Sequence, residues 1–272
     1  MEKESIRPIF PKEHGLWVWI FLPVIVGGLC AGGGRGALYL LIWTIFFGFL
    51  ALTPARIFYK NAKRNLNTPK NIKFWCAAYL ILASAFGLVL CLMTPRFVWV
   101  LPFMAAGFLA GVRAFHGGYH QDVRFEYGGV ALFSLGSLIG AFAVAGGLVL
   151  QNYGIWLLTL LFVLDRTTES RRVVRLGEFR LALAGQQPEI AERLRPVFLK
   201  NIFGSFMTLL FALAIEEKFR LKYSLFWPFF PGFVATILFY LRPPQTLRAL
   251  GYSELALAIL FGASFVLIFH FY

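Results

Sequence analysis

One short segment of the chain, LDRTTESRRVVR, carries two carboxylates at a spacing that suits cation binding. Asp165 and Glu169 are four residues apart, so both side chains lie on one face of a helix. Paired carboxylate oxygens are ligands for Mg²⁺, which makes this pair a candidate metal site. Basic residues interleave the pair, so an internal salt-bridge network is the alternative: Arg166, Arg171, Arg172 and Arg175.

A second segment, TPARIFYKNAKRN, places basic side chains at helical spacing. The positions that share one helical face are Arg56, Lys60, Lys63 and Arg64. Such a face anchors a membrane protein on its cytoplasmic side, or it binds an anion such as a phosphate or a lipid headgroup. For the second alternative, we expect an anion site that combines Arg56 and Lys60 with Arg171 and Arg172.

A third polar group opens the first apolar block, in PKEHGLWVWIFLP. Glu13 and His14 stand directly before a run without ionisable residues, and a plain cap at the membrane surface explains them. The alternative is a polar mouth, in which basic loops hold Glu13 in a charge-assisted network. This alternative predicts that Glu13 or His14 contacts a residue from 54–64 or 165–175.

The elements that position these residues are apolar. Hydrophobic residues make up 59% of the 272 positions and charged residues 14%, and the mean hydropathy is +0.71. A soluble domain has about a quarter of its residues charged, so the composition indicates an integral membrane protein. The net charge of +13 would suggest nucleic acid in a soluble protein, but here the basic residues flank apolar blocks. We expect membrane lipids as partners and no nucleic acid.

Nine apolar blocks predict an all-α bundle with nine transmembrane helices in one domain, residues 1–272. The blocks are 15–32, 37–53, 74–93, 97–112, 128–150, 154–165, 201–215, 225–241 and 252–270. Alternate connections hold 21 and 5 of the 26 Lys and Arg residues. The positive-inside rule then places the N-terminus in the cytoplasm and the C-terminus outside. The main cytoplasmic loops are 54–73, 113–127 and 165–200.

Two local patterns refine this arrangement. Gly136 and Gly140 form a GxxxG motif in the fifth span, which is typical of closely packed helices. In the segment 165–200, Gly185 is a helix stop and Pro188 suits the first turn of a new helix. The pattern predicts a helical extension of the sixth span, a break, and a short interfacial helix.

The opening segment PKEHGLWVWIFLP resembles the PxEHGAW signature of the YwiC-like membrane proteins, with Leu16 where that family often has Ala. The resemblance continues through TPARIFYKNAKR and RFEYGGVALFSLGSLIGAFAVAGG, and then through FVLDRTTESRR and LRALGYSELALAILF. It covers most of the chain, although only the opening motif is specific. This family implies no established biochemical role.

A more distant resemblance is to the UbiA superfamily of intramembrane prenyltransferases. It implies nine helices, a cytoplasmic N-terminus, and acidic motifs after helices two and six that hold Mg²⁺ on an isoprenyl diphosphate. The second motif has a counterpart in Asp165 and Glu169. The first does not, because the loop after span two is basic where NDxxDxxxD is expected. The resemblance therefore implies a UbiA-like fold without the ordinary transferase chemistry.

Taken together, these patterns predict a protein of the cell inner membrane that binds a lipophilic molecule with an anionic headgroup at a cytoplasmic mouth. An isoprenoid or quinone-like ligand fits this description. One alternative is a divergent Mg²⁺-dependent prenyl or lipid transferase, and another is a non-catalytic subunit that binds partner membrane subunits. No predicted span carries a charge at mid-depth, which argues against ion-coupled transport.

Overall fold

The computed structural model describes residues 16–116, 123–182, 187–221, 224–241 and 247–271. These residues form α-helices and short 3-10 turns, and no strand occurs among them. The helices are α1 Leu16–Cys30, α2 Arg35–Lys63, α3 Lys70–Met93, α4 Leu101–His116, α5 Val123–Ser134, α6 Gly136–Ala145, α7 Leu150–Ala182, α8 Gln187–Lys218, α9 Phe230–Leu241 and α10 Leu247–Phe271.

Each of the nine predicted spans coincides with helical structure. The fifth span is divided into α5 and α6 by a turn at Leu135. The fourth and eighth spans each begin on a 3-10 turn, Pro95–Trp99 and Trp227–Phe229, and each of the remaining spans falls on one α-helix. Within the described ranges, five segments are long and apolar enough to cross a membrane: Arg35–Lys63, Lys70–Met93, Tyr127–Ala145, Leu199–Lys218 and Leu250–His270. The all-helical membrane class is therefore confirmed, whereas the count of nine spans and their orientation stay predictions.

The segment between spans six and seven differs from its prediction. α7 continues to Ala182, as the predicted extension requires, and α8 begins at Gln187 with Pro188 in its first turn. The separate short interfacial helix is wrong, because α8 runs without interruption from Gln187 to Lys218. Pro196 lies inside this helix. Proline removes one backbone hydrogen bond, and α8 continues through Pro196 into the candidate span that begins at Leu199.

Glycines bring α1 and α6 into backbone contact. A methyl group built on Gly27 would lie 1.9 Å from the Ser137 carbonyl oxygen, and one built on Gly140 would lie 2.3 Å from the Val24 carbonyl oxygen. A Cβ on Gly136 would be 2.9 Å from a Val24 methyl carbon. The GxxxG motif is therefore confirmed as a helix-packing motif, with Gly27 of α1 as its partner.

The largest apolar core among the described residues is formed mainly by α1, α7, α10 and the segment directly before α9, beside the polar residues of the candidate site. Its centre is Phe162 of α7, which stacks on Phe261 of α10 with ring centroids 3.8 Å apart. Phe229, directly before α9, meets Phe261 edge-on at 5.2 Å. Because these aromatic contacts hold α7, α10 and the turn before α9 together, polar side chains one turn farther along α7 are enclosed as well.

Candidate functional site

The centre of the candidate site is Arg166 on α7, whose side chain is completely buried. Its Nη2 atom donates hydrogen bonds to Asp165 Oδ2 at 3.0 Å and to Thr236 Oγ1 of α9 at 3.0 Å, and it also binds Glu169 Oε2. A buried guanidinium is stable only when anionic acceptors surround it, and the two carboxylates satisfy this need. The salt-bridge alternative for this segment is thus present in the structure.

The two carboxylates connect α7 to its neighbours. Asp165 accepts hydrogen bonds from Ser205 Oγ at 3.1 and 3.2 Å and from Thr208 Oγ1 at 3.3 Å, both on α8. Glu169 accepts a hydrogen bond from Thr236 Oγ1 of α9 at 2.6 Å. The spacing of four residues places both carboxylates against the Arg166 guanidinium, and the hydroxyl donors hold their positions.

Glu254 of α10 is the third carboxylate of this group. Its Oε1 atom lies 3.8 Å from Arg166 Nη1, and its side chain is 10% exposed. Neither Glu254 oxygen has a hydrogen-bond partner among the described residues, and the same is true of Arg166 Nε and Nη1. On the α9 side, Gly232 lies beside the guanidinium, and a Cβ there would come into ordinary van der Waals contact with Arg166 Nε, at 3.6 Å. We call Asp165, Arg166, Glu169, Thr236 and Glu254 the charged cluster.

A cavity of about 200 Å³ opens between α7 and α8, and we call it the slot. Its α7 wall is formed by Leu161, Leu164, Asp165, Thr168, Glu169 and Arg172. Its α8 wall is formed by Asn201, Gly204, Ser205 and Thr208. Gly204 leaves room between the helices, because a Cβ built on it would meet no atom within 4 Å. The slot therefore borders the charged cluster along one turn of α7.

The polar end of the slot carries hydrogen-bond donors. Arg172 Nη1 donates to Asn201 Oδ1, which fixes the orientation of the Asn201 amide. Asn201 is buried, and its Nδ2 group has no hydrogen-bond partner among the described residues. Arg172 and Asn201 therefore present N–H donors at one end of the slot, and Leu161 and Leu164 lie toward the other end.

The structure brings together only part of the predicted site. Asp165, Glu169 and Arg172 line the slot, and Arg171 is the half-buried neighbour of Arg172 on α7. Arg56 and Lys60 lie on α2, where Arg56 is half-buried and Lys60 is exposed, and neither lines the slot. The predicted polar mouth, Glu13 and His14, lies outside the described residues.

Sequence reasoning missed the residues that come from α8, α9 and α10. Ser205, Thr208, Thr236 and Glu254 each appear singly within an apolar helix, and none forms a recognisable motif. Glu254 offered the one usable signal, because an ionisable residue inside an apolar span marks a functional site by default. It lies about two turns after the start of α10, within the candidate span Leu250–His270.

The donor set does not suit a divalent cation. Asp165 and Glu169 direct oxygens at Arg166, and a guanidinium among the ligands repels Mg²⁺. In the part of the chain that the structure describes, no group of three or more His, Cys, Asp or Glu side chains is placed to hold a metal ion. Mg²⁺ on Asp165 and Glu169 stays a prediction from the sequence, and these ion pairs argue against it.

A bundle of apolar helices that encloses charged side chains defines the class of this chain as an integral membrane protein. Within that class, residues 10–139 match the model of the YwiC-like protein family. The match confirms the YwiC-like resemblance over this part of the chain. Comparisons with curated proteins and with solved structures gave no match. The slot and the charged cluster lie after residue 139, outside the matched range.

Proposed function

We propose that the protein binds an amphiphilic molecule in the slot between α7 and α8. Arg172 and Asn201 hold the anionic headgroup, and the apolar chain of the ligand extends along Leu161 and Leu164. The observation that carries this proposal is the order of the slot-lining residues along α7, which changes from cationic to apolar over eleven positions.

The length of this gradient matches an amphiphile. Eleven residues of α-helix span about 16 Å from Arg172 to Leu161. Asp165, Thr168 and Glu169 line the slot between these ends, and Asp165 accepts a hydrogen bond from Ser205 on α8. A polar ligand would leave the leucine end unfilled, and a hydrocarbon would leave the donors at the other end unsatisfied. A molecule with one charged end and one apolar end satisfies both.

The donors at the polar end favour an anion. The Arg172 guanidinium has five N–H groups, of which Asn201 Oδ1 accepts one. The buried Asn201 Nδ2 group adds a further donor that lacks a partner among the described residues. Hydrogen bonds from a guanidinium to a phosphate or carboxylate are about twice as strong as neutral ones, so this end selects an anionic headgroup.

The size of the slot indicates which part of the ligand it encloses. Pockets that enclose a whole drug-sized molecule measure about 300–1,000 Å³, whereas the slot measures about 200 Å³. The slot therefore holds the headgroup and the first part of the chain. The remainder lies against exposed apolar residues of α8 that face the lipid, such as Leu199, Phe203 and Phe206.

This proposal retains the sequence-based prediction in a narrower form. Arg171 is next to Arg172 and adds positive charge at the same end of the slot, whereas Arg56 and Lys60 attract anions to another helix, α2. We place the protein in the cell inner membrane and treat it as a UbiA-like protein without transferase chemistry. An isoprenoid phosphate or a phospholipid fits the slot better than a quinone, because a quinone has no anionic group.

Native mass spectrometry of the full chain in detergent tests the proposal with three probes: an anionic phospholipid, an isoprenyl phosphate and a quinone. We expect both anionic probes to bind, and Arg172→Gln to weaken them by about tenfold or more through the loss of a charge-assisted hydrogen bond. Gly204→Leu should abolish binding, because it fills the slot without a backbone clash.

The matched control is Gly107→Leu on α4, where a Cβ also meets no atom within 4 Å. This variant should bind the anionic probes as the wild-type protein does. Equal binding by wild type, Arg172→Gln and Gly204→Leu would refute the slot as the binding site. Preferential binding of the quinone would refute the anionic headgroup.

A further inference from the structure

Glu254 is a buried acid whose charge is incompletely compensated. It lies within the candidate span Leu250–His270, and its two oxygens have no hydrogen-bond partner among the described residues. The Arg166 Nη1 atom is 3.8 Å from Glu254 Oε1, which is beyond hydrogen-bond distance. The Ser170 hydroxyl of α7 acts on this carboxyl group without reaching good hydrogen-bond geometry, so the group is removed from water without the well-formed hydrogen bonds that normally accompany a buried anion.

Arg166 does not neutralise the charged cluster by itself. Its Nη2 atom is shared by Asp165, Glu169 and Thr236, so the short contacts of the guanidinium are already used on α7 and α9. Three carboxylates and one guanidinium carry a formal charge of −2 if every acid is ionised. Asp165 and Glu169 each bind Arg166 and hydroxyl donors, which leaves Glu254 as the least compensated acid.

Among the described residues packed against α10, charged groups come from α7 alone. The described part of α1, residues 16–30, contains no Asp, Glu, Lys, Arg or His, and the same holds for the turn 227–229 and for α9. α7 contributes the charged groups that act on Glu254, which are Arg166, Glu169 and Asp165. Two of these three groups are anions, and they oppose a negative charge on Glu254.

An isolated carboxylate in an apolar interior lowers its energy by taking up a proton or by binding a cation. Among the described residues, no set of three acidic, His or Cys ligands is arranged for a metal ion, and Arg166 repels cations. We propose that Glu254 is a membrane-embedded proton-binding site, which carries an exchangeable proton at neutral pH. Arg166 connects this site to Asp165 and Glu169 in the wall of the slot.

Infrared difference spectroscopy on the full chain in lipid nanodiscs tests the proposal directly. At neutral pH we expect the carbonyl band of a protonated carboxylic acid, which shifts in D₂O, disappears at alkaline pH and is missing in Glu254→Gln. Labelling the wild-type protein with ¹³C-glutamate should shift the band, which distinguishes glutamate from aspartate without a substitution. A wild-type protein with no such band at neutral pH would overturn the proposal, as would a band that persists in Glu254→Gln.

A second readout is the pH dependence of thermal unfolding. A group that is protonated in the folded state and ionised in the unfolded state binds more protons when folded, so stability falls as the pH rises. An unfolded glutamate ionises near pH 4.3, so this fall should begin above about pH 5 in the wild type and should be reduced in Glu254→Gln.

The matched control is Glu217→Gln, the same chemical change at an exposed position of α8. It should keep the wild-type pH dependence, whereas equal slopes for all three proteins would contradict a proton on Glu254. Replacing choline chloride with sodium chloride at constant pH distinguishes a proton on Glu254 from a bound Na⁺. Stabilisation of the wild type by Na⁺, absent in Glu254→Gln, would replace the proton site with a sodium site.

Discussion

Replacing Arg166 with leucine tests whether the charged cluster holds the bundle together. The substitution removes the guanidinium that contacts Asp165, Glu169, Thr236 and Glu254, and leaves the carboxylates of Asp165 and Glu169 without their cation. Removing one partner of a buried ion pair costs about 3–5 kcal/mol, because the remaining charge is neither hydrated nor paired. We expect Arg166→Leu to lower the free energy of unfolding by about this amount.

The expected loss corresponds to a measurable shift in the melting temperature. For chains of 150–250 residues, 1 kcal/mol corresponds to about 2–4 °C, and this chain is slightly longer. Arg166→Leu should therefore melt roughly 6–20 °C below the wild type. Tryptophan fluorescence during heating of the detergent-solubilised protein gives the melting temperatures of the wild type and of the variant. Arg64→Leu is the matched control, since Arg64 is exposed at the end of α2 and should change stability by less than about 0.5 kcal/mol.

A double variant makes this test specific. Combining Arg166→Leu with Glu169→Gln removes one of the charges that the single substitution leaves unpaired. The double variant should be more stable than Arg166→Leu alone, with a coupling energy between the two substitutions of about 0.5–3 kcal/mol. A melting temperature of Arg166→Leu within about 2 °C of the wild type would refute the structural role of the cluster. Additive effects of the two substitutions would show that the Arg166–Glu169 contact contributes no stability.

Three further predictions concern packing, topology and chemistry. Gly27→Ala should cost about 1–3 kcal/mol or more because its Cβ would lie 1.9 Å from the Ser137 carbonyl oxygen, whereas Gly34→Ala, with no atom within 4 Å, should be nearly neutral in the same melting assay. Reporter fusions at Asn67 and Tyr272 should face opposite compartments, and a common side would contradict the nine-span topology. Purified protein with Mg²⁺ and prenyl diphosphates should form no prenylated product, and chelator-sensitive product formation would show a transferase.

The apolar elements were predictable because hydropathy and small-residue spacing are local properties. The blocks 74–93 and 252–270 fall within α3 and α10, and Gly136 and Gly140 pack against α1 as their spacing indicates. The carboxylate pair Asp165 and Glu169 was also visible, because four residues of helix bring two side chains to one face. These features depend on neighbours within one or two turns.

The remaining part of the site depends on contacts between distant segments. Arg166 is 70 residues from Thr236 and 88 residues from Glu254, so no local pattern shows that they meet. A single Glu in the apolar helix α10 hardly changes the mean hydropathy of that segment, which concealed Glu254. Glu254 lies close to one end of the candidate span Leu250–His270, so it does not contradict the prediction that no span carries a charge at mid-depth, but that prediction gave no reason to expect a buried charge there.

The lengths of α7 and α8 have a consequence for the position of the slot. They run antiparallel, as the contacts of Arg172 with Asn201 and of Asp165 with Thr208 show, and they measure about 50 and 48 Å at 1.5 Å per residue. The hydrocarbon core of a bilayer is about 30 Å thick, so roughly 20 Å of the hairpin projects beyond it. The candidate span of α8 begins at Leu199, so the polar end of the slot, with Arg172 and Asn201, lies where the hairpin leaves the hydrocarbon core and a headgroup meets the membrane surface.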